Sequence, residues 1–511
     1  MRTFAFGLTL TLAAAGLLGA CDASTTNDLP VEPDPLRSDG GAVVTGDADV
    51  TADADAAPLP PQPGLRAEYF EGYLDRMVDR VEPNVDHDWA AASPGTGIGA
   101  DKFSARWSGT ITAPTTGMYT MIVDSDDGMR LFVDGKLLVE NWTGHFVTRN
   151  SASVQLTAGV PVAIRLDYFE LDQAASVKLS WSSDAIAEEI IPTKYFLADK
   201  APDLPSPKPP YANPVMAFDC PDPGVLATTE ANGPNYYAVC TGGAFPIRQS
   251  RSLVTWKDSG QKILPAGKPP WAANGGRNWA PEIHKVGNGF VAYFTSVNGG
   301  DVLSIGAASS ANVLGPYQNQ TAPLVENAVG VIDATFFEDA DGSRWLLYKI
   351  DGNSQGQATP IFLRKLAANG LSFAAGSAAT EILRNQPATW EGGVVEAPWL
   401  VKRGAYYYLF YSGNVYDARY RTGVARATNL AGPYEKFGSP ILANNAKWEG
   451  PGHGSVVTVG ALDYFVYHAY PKGDLSQRQT LVDAIRYENG WPKISDGTPS
   501  TGPRPWPGEA R

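Results

Sequence analysis

Five ionisable residues recur at similar intervals in the C-terminal part of this 511-residue chain. Each stands before a short aliphatic strand, a turn rich in Gly, Asn or Asp, and an aromatic-rich strand; the five are Asp222, Glu282, Asp333, Glu396 and His453. Repeats spaced roughly 50–60 residues apart are typical of a radial array rather than of one ordinary core. In a β-propeller the equivalent position of every blade faces a shared channel, so the pattern predicts four carboxylates and one histidine converging there.

Carboxylates that converge in a channel could hydrolyse a glycosidic bond. That reaction needs one carboxylic acid to protonate the leaving oxygen and one carboxylate to activate water or attack carbon. A third carboxylate can keep the acid protonated near neutral pH and orient it. Asp222, Asp333 and Glu396 belong to the first, third and fourth repeats, so they could surround one sugar ring. The alternative for each residue is that it caps a strand end by accepting backbone hydrogen bonds.

The repeats also predict the fold that positions these residues. After its aromatic strand, each unit continues with a second hairpin, as in LSIGAASSANVLGPY and TGVARATNLAGPY. Two hairpins per unit make a four-stranded blade, and five units make a five-bladed β-propeller. We expect the propeller to occupy residues 211–496 and a turn-rich tail to follow over residues 497–511.

Residues 64–197 predict a separate β-sandwich. Segments with period-two alternation, such as GTITAPTTGMYTMIVDS and VPVAIRLDYFE, are separated by turn residues. A Pro-rich linker over residues 198–210 leads to the propeller. Residues 22–63 are acidic, rich in Pro and poor in aromatic residues, which predicts a disordered tether. The predicted fold class is therefore all-β, with an antiparallel β-sandwich followed by a five-bladed β-propeller.

The first 21 residues predict a targeting segment. An apolar run from Phe4 to Leu18 leads into the sequence LGAC, which ends at Cys21. This pattern resembles a bacterial lipoprotein signal, in which Cys21 carries the lipid; a plain secretory signal with an incidental cysteine is the alternative. We expect an exported protein that is lipid-anchored to a membrane of the bacterial cell envelope, with the leaflet left open.

Charge and cysteine content narrow the choice of partners. The chain has 54 Asp and Glu against 40 Lys and Arg, which disfavours nucleic acid and leaves a neutral polymer such as a polysaccharide open. Cys220 and Cys240 flank the first strand of the first repeat, and export would permit a disulfide between them. Hairpin register cannot be read closely enough from the sequence, so bridged and free thiols both stay open.

In its successive motifs the repeat region resembles glycoside hydrolase family 43. The motifs occur in order between residues 211 and 492 and read NPVMAFDCPDPGVL, WAPEIH, VIDATFF, VVEAPWLVKRGAYYYLFYSGN, GPGHGSVV and RYENGWP. The resemblance implies a five-bladed propeller that inverts anomeric configuration without a cofactor for the chemistry, mostly on arabinose- or xylose-containing plant polysaccharides. It further implies that Asp222 is the general base, Glu396 the general acid, and Asp333 the residue that tunes and orients the acid.

The same resemblance supplies candidates for substrate and ion binding. Trp279 and Glu282 would lie beside the substrate, with a packing role open for Glu282. Arg478 could bind a sugar hydroxyl or form a surface ion pair. Trp390 could stack on a sugar ring, with packing between blades as its alternative. His453 resembles the family's channel histidine, which often contacts a bound ion through water; a calcium contact and a satisfied core histidine are both open.

The sandwich resembles the domain first seen in anthrax protective antigen. The segments that carry this resemblance are GLRAEYF and FSARWSGTITAPTTGMYTMIVDSDDGMRLFVDGKLLVENW. Some members of that group bind carbohydrate through an acidic pair and calcium, and Asp126 and Asp127 stand where the pair would be. In others the Asp-Asp-Gly sequence only builds a tight turn. Asn141 and Trp142 would be neighbouring contacts if the sandwich binds sugar.

Together these patterns predict an inverting glycoside hydrolase that acts on arabinan or arabinoxylan, as an α-L-arabinofuranosidase or an endo-arabinanase. A β-xylosidase or a galactan-cleaving enzyme would use the same three carboxylates. From another class, the alternative is a surface carbohydrate-binding protein whose propeller has lost activity. Intact Asp222, Asp333 and Glu396 argue against that alternative.

Overall fold

The computed structural model describes residues 62–198, 204–230, 233–273 and 277–509. The predicted targeting segment, with Cys21, and nearly all of the predicted tether lie outside the described residues. Within these ranges the chain folds almost entirely into β-strands, with two short 3₁₀ helices at Thr193–Tyr195 and Gly352–Gln355. None of the described segments forms a helix that is long and apolar enough to cross a membrane.

Thirteen strands form the N-terminal β-sandwich. They are β1 (Gln62–Pro63), β2 (Leu65–Glu71), β3 (Asp75–Glu82), β4 (Asp86–Ala90), β5 (Phe103–Thr112), β6 (Gly117–Asp126), β7 (Met129–Val133), β8 (Lys136–Asn141), β9 (Thr148–Leu156), β10 (Pro161–Phe169), β11 (Ala175–Ser183), β12 (Ile186–Ile190) and β13 (Phe196–Ala198). Strands β4, β6, β9, β11 and β12 form one sheet, and the other eight form the second. Successive side chains of a strand point to opposite faces, so alternate apolar residues such as Trp107, Tyr119 and Trp181 are buried in the sandwich core.

Five four-stranded sheets follow, each built from one continuous stretch of chain. Blade one contains β14 (Gly224–Glu230), β15 (Gly233–Val239), β16 (Pro246–Ser250) and β17 (Lys257–Lys262). Blade two contains β18 (Trp279–Val286), β19 (Gly289–Val297), β20 (Leu303–Ser310) and β21 (Gln318–Asn319), and blade three contains β22 (Val331–Glu338), β23 (Arg344–Ile350), β24 (Ile361–Lys365) and β25 (Thr380–Leu383). Blade four contains β26 (Val395–Arg403), β27 (Tyr406–Gly413), β28 (Arg421–Ala427) and β29 (Glu435–Lys436), and blade five contains β30 (Trp448–Val459), β31 (Leu462–Pro471), β32 (Gln479–Glu488) and β33 (Trp491–Ile494).

The first strands of the blades form a closed ring. Strand β14 contacts β18, β18 contacts β22, β22 contacts β26, β26 contacts β30, and β30 returns to β14. All pairs within the blades are antiparallel. The predicted all-β fold class, a sandwich followed by a five-bladed propeller, is therefore confirmed.

Side-chain contacts close the ring between the first and last blades. The Asn213 amide donates to the carbonyl of Val482 at 3.1 Å, and its Oδ1 accepts the Val482 N–H at 2.9 Å. The Cys220 N–H donates to the carbonyl of Arg478 at 2.9 Å. A disulfide joins Cys220 to Cys240, which adjoins the second strand of blade one. The segment before blade one is thus fixed both to blade five and to its own blade.

Each first strand bends at the same place. In blades two to five the pairing with the second strand slips by one residue, which marks a β-bulge. At this point the backbone is left-handed, with positive φ at Ala280 (39°), Asp333 (57°), Ala397 (55°) and His453 (41°). Asp222 (54°) holds the corresponding place just before β14. The bulge changes the direction of the side chains on either side of it.

The five predicted anchors are consequently not equivalent. Asp222, Asp333 and His453 occupy the left-handed position itself, whereas Glu396 precedes that position by one residue and Glu282 follows it by two. The two Ala-Pro pairs align in space, so WAPE of blade two places tryptophan where EAPW of blade four places glutamate. The prediction that an ionisable residue sits at the same structural place in every repeat is wrong. The sequence comparison matched the ionisable residues to one another, whereas the structurally equivalent positions are the left-handed residues of the bends.

Candidate active site

A cavity of about 310 Å³ lies where the first strands of the propeller meet. Six of the residues singled out in the sequence line it, namely Asp222, Trp279, Asp333, Glu396, His453 and Arg478. They come from all five blades, since each blade presents its bend to the same space. The volume is at the lower end of the range typical of small-molecule sites.

Asp222 is surrounded by hydrogen-bond donors. Its Oδ1 accepts a bond from Arg478 Nη1 at 3.0 Å, and its Oδ2 accepts one from the Thr241 hydroxyl at 2.6 Å. His453 Nδ1 lies 3.2 Å from the same Oδ1. Burial alone would raise the pKa of Asp222, but the charges of Arg478 and His453 outweigh burial and hold it well below its usual range. This carboxylate is therefore ionised at neutral pH.

Asp333 and Glu396 are neighbouring buried carboxyl groups. Asp333 Oδ2 accepts a hydrogen bond at 2.9 Å from the N–H of Ala397, the residue directly after Glu396. Burial, together with the negative charges of Glu396 and Asp222, raises the pKa of Asp333 to about 7, and nearby cations only partly offset this rise. Asp333 therefore retains its proton near neutral pH.

The sequence did not single out two residues that hold Glu396. Lys349 is fully buried, and its Nζ donates to Glu396 Oε2 at 2.8 Å and to Asp351 Oδ1 at 2.9 Å. The Tyr420 hydroxyl donates to Glu396 Oε1 at 2.8 Å. A signal for Lys349 was present in the strand RWLLYKI, because a lysine that a strand buries needs a counter-charge.

Side chains on or just after the second strands connect neighbouring blades around the cavity. Each accepts the backbone N–H of the left-handed residue in the next blade: Thr241 from Ala280 at 2.7 Å, Ser412 from His453 at 2.9 Å, and His468 Nδ1 from Asp222 at 3.1 Å. Burial lowers the pKa of His468 to about 4, so its ring is neutral and can accept. Blade three has a lysine at this place, which cannot accept, and the corresponding N–H bonds to Asp333 instead.

Two predicted substrate contacts do not line the cavity. The ring of Trp390 packs against Tyr411, with centroids 5.9 Å apart, and lies over Gly413. A Cβ at Gly413 would come within 2.5 Å of this ring, so glycine is required there. Glu282 Oε2 bonds His284 Nε2 at 2.6 Å. The structure thus places Trp390 against residues of blade four and Glu282 in a hydrogen bond to a histidine, so neither side chain lines the cavity.

A candidate cation site lies in the sandwich, at the predicted acidic pair. Ligand oxygens of Asp126, Asp127 and Glu170 lie within 4.8 Å of one another, and this is the one such acidic or mixed group among the described residues. Asp127 also accepts the N–H groups of His145 at 2.7 Å and Leu171 at 2.8 Å. Glu170 is fully buried, and its Oε1 has no hydrogen-bond partner in the described parts of the chain. A buried carboxylate oxygen without a donor fits a hard cation such as calcium.

Comparison with known proteins places this geometry in a family. The family model of glycosyl hydrolases family 43 matches residues 211–492, more than half of the chain, and the PA14 domain model matches residues 61–195. The extracellular exo-α-(1→5)-L-arabinofuranosidase ArbA of Cellvibrio japonicus is 26% identical over 303 residues, which cover 52% of this chain and 84% of ArbA. The anti-sigma-I factor RsgI3 of Acetivibrio thermocellus is 36% identical over 141 residues, 27% of this chain but only 22% of RsgI3.

Among solved structures, a thermostable family-43 glycoside hydrolase is similar to this chain with a TM-score of 0.51 and 29% identity, covering 58% of this chain and 99% of that one. The part matched by the family model contains the first strands of all five blades and the carboxylates that line the cavity. The chain therefore belongs to glycosyl hydrolases family 43.

Proposed function

We propose that the protein is an inverting glycosidase that hydrolyses arabinan or arabinoxylan, as an α-L-arabinofuranosidase or an endo-arabinanase. One observation carries the proposal: an ionised Asp222, a proton-retaining Asp333 and the Glu396 carboxyl group face a single cavity. An inverting hydrolase needs this combination of one base and one acid on opposite sides of the sugar. The similarity to an arabinofuranosidase favours arabinose-containing chains as the substrate.

In this mechanism Asp222 accepts a proton from the attacking water while the oxygen of that water forms a bond to the anomeric carbon. Glu396 gives its proton to the leaving glycosidic oxygen as the bond to that oxygen breaks. Asp333 retains its own proton near neutral pH and fixes the backbone next to Glu396 through the N–H of Ala397. Lys349 positions the Glu396 carboxyl group and stabilises the carboxylate that remains after proton transfer.

The remaining residues of the cavity receive supporting roles. Arg478 keeps Asp222 ionised through its 3.0 Å hydrogen bond, in addition to any contact with a sugar hydroxyl. Trp279 takes the place in blade two that Glu396 takes in blade four, so it forms a wall of the cavity beside the reacting sugar. Burial lowers the pKa of His453, but the negative charges of Asp222 and Asp333 outweigh burial and raise it. His453 therefore adds positive charge beside the carboxylate of Asp222.

A β-xylosidase or galactan-cleaving activity is the second candidate, since it would use the same three carboxylates. The alternative from another class is a propeller that binds carbohydrate without hydrolysing it. In that case Asp222 and Glu396 would not be needed for the protein's function.

The sandwich and the N-terminus carry two further proposals. We propose that Asp126, Asp127 and Glu170 bind calcium and that the sandwich thereby contacts carbohydrate. We also propose that the protein is exported and lipid-anchored through Cys21 in the cell envelope, on the basis of the sequence pattern before it. A Cys21→Ser variant that still sediments with membranes would contradict the lipid anchor.

A panel of aryl α-L-arabinofuranosides, β-xylosides and galactosides, together with linear arabinan and arabinoxylan, tests the activity. We expect release of product from the arabinosides, and a loss of about 10²–10⁴-fold in kcat for Glu396→Gln, because the leaving oxygen is no longer protonated. Glu435→Gln removes an exposed carboxylate of the same blade as a matched control and should retain activity. Equal inactivity of all three proteins on every substrate, with binding retained, would favour the carbohydrate-binding alternative.

The pH dependence of kcat/KM tests the role of Arg478. In the wild type the acidic limb should lie well below pH 4, because activity is lost only when Asp222 is protonated and its pKa is depressed. Removing the neighbouring cation in Arg478→Gln should raise the pKa of Asp222 and move the acidic limb upward by about one pH unit or more. On the alkaline side, activity should fall as Asp333 loses its proton near pH 7.

The matched control for that experiment is Arg344→Gln, which removes a cation that pairs with Glu338 at the outer end of blade three. An acidic limb that stays in place in Arg478→Gln would refute the proposed role.

Thermal unfolding with calcium or with a chelator tests the sandwich site. Calcium should raise the Tm of the wild type, because a ligand that binds only the folded state stabilises it. The same addition should leave the Tm of Glu170→Gln unchanged, whereas Glu188→Gln, an exposed carboxylate of the same sandwich, should respond as the wild type does. An identical Tm of the wild type in calcium and in chelator would argue against the site.

A further inference from the structure

A second cavity, of about 840 Å³, lies between the sandwich, the linker before the propeller and the last described residues. Three arginines of the sandwich line it, Arg106 on β5, Arg130 on β7 and Arg165 on β10, and we call it the arginine cleft. The three strands are hydrogen-bonded neighbours, and Asp167 of β10 stands opposite both Arg106 and Arg130. These side chains therefore project from one face of one sheet.

The arginine cleft carries an excess of positive charge. Its lining includes five cationic side chains, Arg106, Arg130, Arg165, Lys208 and Arg504, against the two carboxylates of Asp167 and Glu509. The chain as a whole has a net charge of −14, so this local sign is opposite to that of the protein. Lys208 Nζ bonds Glu509 Oε1 at 2.9 Å, and most of the excess therefore rests on the arginines.

Arg106 already has its partners, whereas Arg130 and Arg165 do not. Arg106 Nε donates to Asp167 Oδ1 at 2.7 Å, and its Nη atoms donate to the carbonyls of Leu204 and Pro205. Among the described residues Arg130 and Arg165 reach Asp167 only at 3.8 Å and 3.6 Å, and the Nε atom of each is buried without a hydrogen-bond partner. In the part of the chain that the structure describes, neither guanidinium group has a carboxylate at hydrogen-bond distance, which leaves their terminal Nη groups for an acceptor from outside the chain.

Aromatic rings hold these two guanidinium groups in place. Arg130 lies 3.8 Å above the ring of Trp142, and Arg165 lies 3.8 Å above the ring of Phe132. Stacking occupies the faces of the guanidinium planes and leaves their edges, which carry the N–H donors, free. Side chains of Arg130 and Arg165 are 30% and 25% exposed, so their terminal Nη groups, unlike the buried Nε atoms, can be reached from solvent. Such edges match the two oxygens of a carboxylate.

We propose that the arginine cleft binds a carboxylate-bearing polysaccharide, through uronic acid units whose carboxylates pair with Arg130 and Arg165. This site is distinct from the propeller cavity and goes beyond the proposed hydrolysis. The cleft has room for more than one sugar residue, whereas a small inorganic anion would occupy only a fraction of it. Prolines at 205, 207, 503, 505 and 507 line the cleft and supply no backbone N–H, so recognition of charge rests on the arginines.

The test measures binding of tri-galacturonate and of neutral arabino-oligosaccharide to the full chain by calorimetry, with inorganic phosphate as a third probe. Glu396→Gln is the background in all samples so that no ligand is cleaved. We expect tri-galacturonate to bind, to bind more weakly as salt rises, and to lose about tenfold or more in affinity for each guanidinium removed in Arg130→Gln/Arg165→Gln. Arg76→Gln/Arg149→Gln removes the same charge from exposed sites of the sandwich and should bind as the parent does.

Three outcomes would overturn the proposal: no binding of tri-galacturonate at low salt, equal weakening in both double variants, or phosphate binding as tightly as tri-galacturonate. If the cleft variant does not fold, labelling of arginines with phenylglyoxal decides the matter in the parent protein. Tri-galacturonate should then protect Arg130 and Arg165 but not Arg149. Unchanged labelling of Arg130 and Arg165 would likewise contradict the assignment.

Discussion

One backbone constraint organises the propeller: the first strand of each blade bends through a left-handed residue at the same position. The five residues are Asp222, Ala280, Asp333, Ala397 and His453. Positive φ is costly for residues other than glycine, so it persists only where surrounding contacts hold it. Here the N–H of the bent residue bonds to a side chain of the preceding blade in four of the five blades. The bonds that close the ring are therefore also the bonds that fix the reactive side chains.

Within this ring the environments separate two kinds of carboxyl group. Asp222 faces Arg478 and His453 and is held ionised, whereas Asp333 is buried beside Glu396 and retains a proton near neutral pH. Opposite shifts in neighbouring carboxyl groups are the arrangement that lets one site supply a base and an acid at the same pH. The disulfide between Cys220 and Cys240 lies next to Asp222 and Thr241 in the chain and so strengthens the side of the ring that holds Asp222.

The sequence predicted the architecture because blades are local: each is one continuous stretch whose hairpins follow from alternating apolar residues and turn residues. It also singled out six of the residues that line the cavity. It did not show that Glu282 and Glu396 lie at different places from Asp222, Asp333 and His453 relative to the bend. A bulge adds one residue to a strand without changing its composition, so the sequence carries no signal for it. The sequence also did not show that Trp390 packs against Gly413 or that Lys349 reaches Glu396, because both contacts depend on side-chain directions in the folded blades.

The central claim is that Asp222 and Glu396 act together in a single displacement at one sugar. Following the anomeric proton by NMR during the first minutes of turnover of an aryl glycoside substrate tests it most directly. A single displacement predicts that the first product has the anomeric configuration opposite to that of the substrate, followed by slow equilibration in water. A first product with the substrate's own configuration would require a covalent glycosyl-enzyme intermediate and would contradict the account.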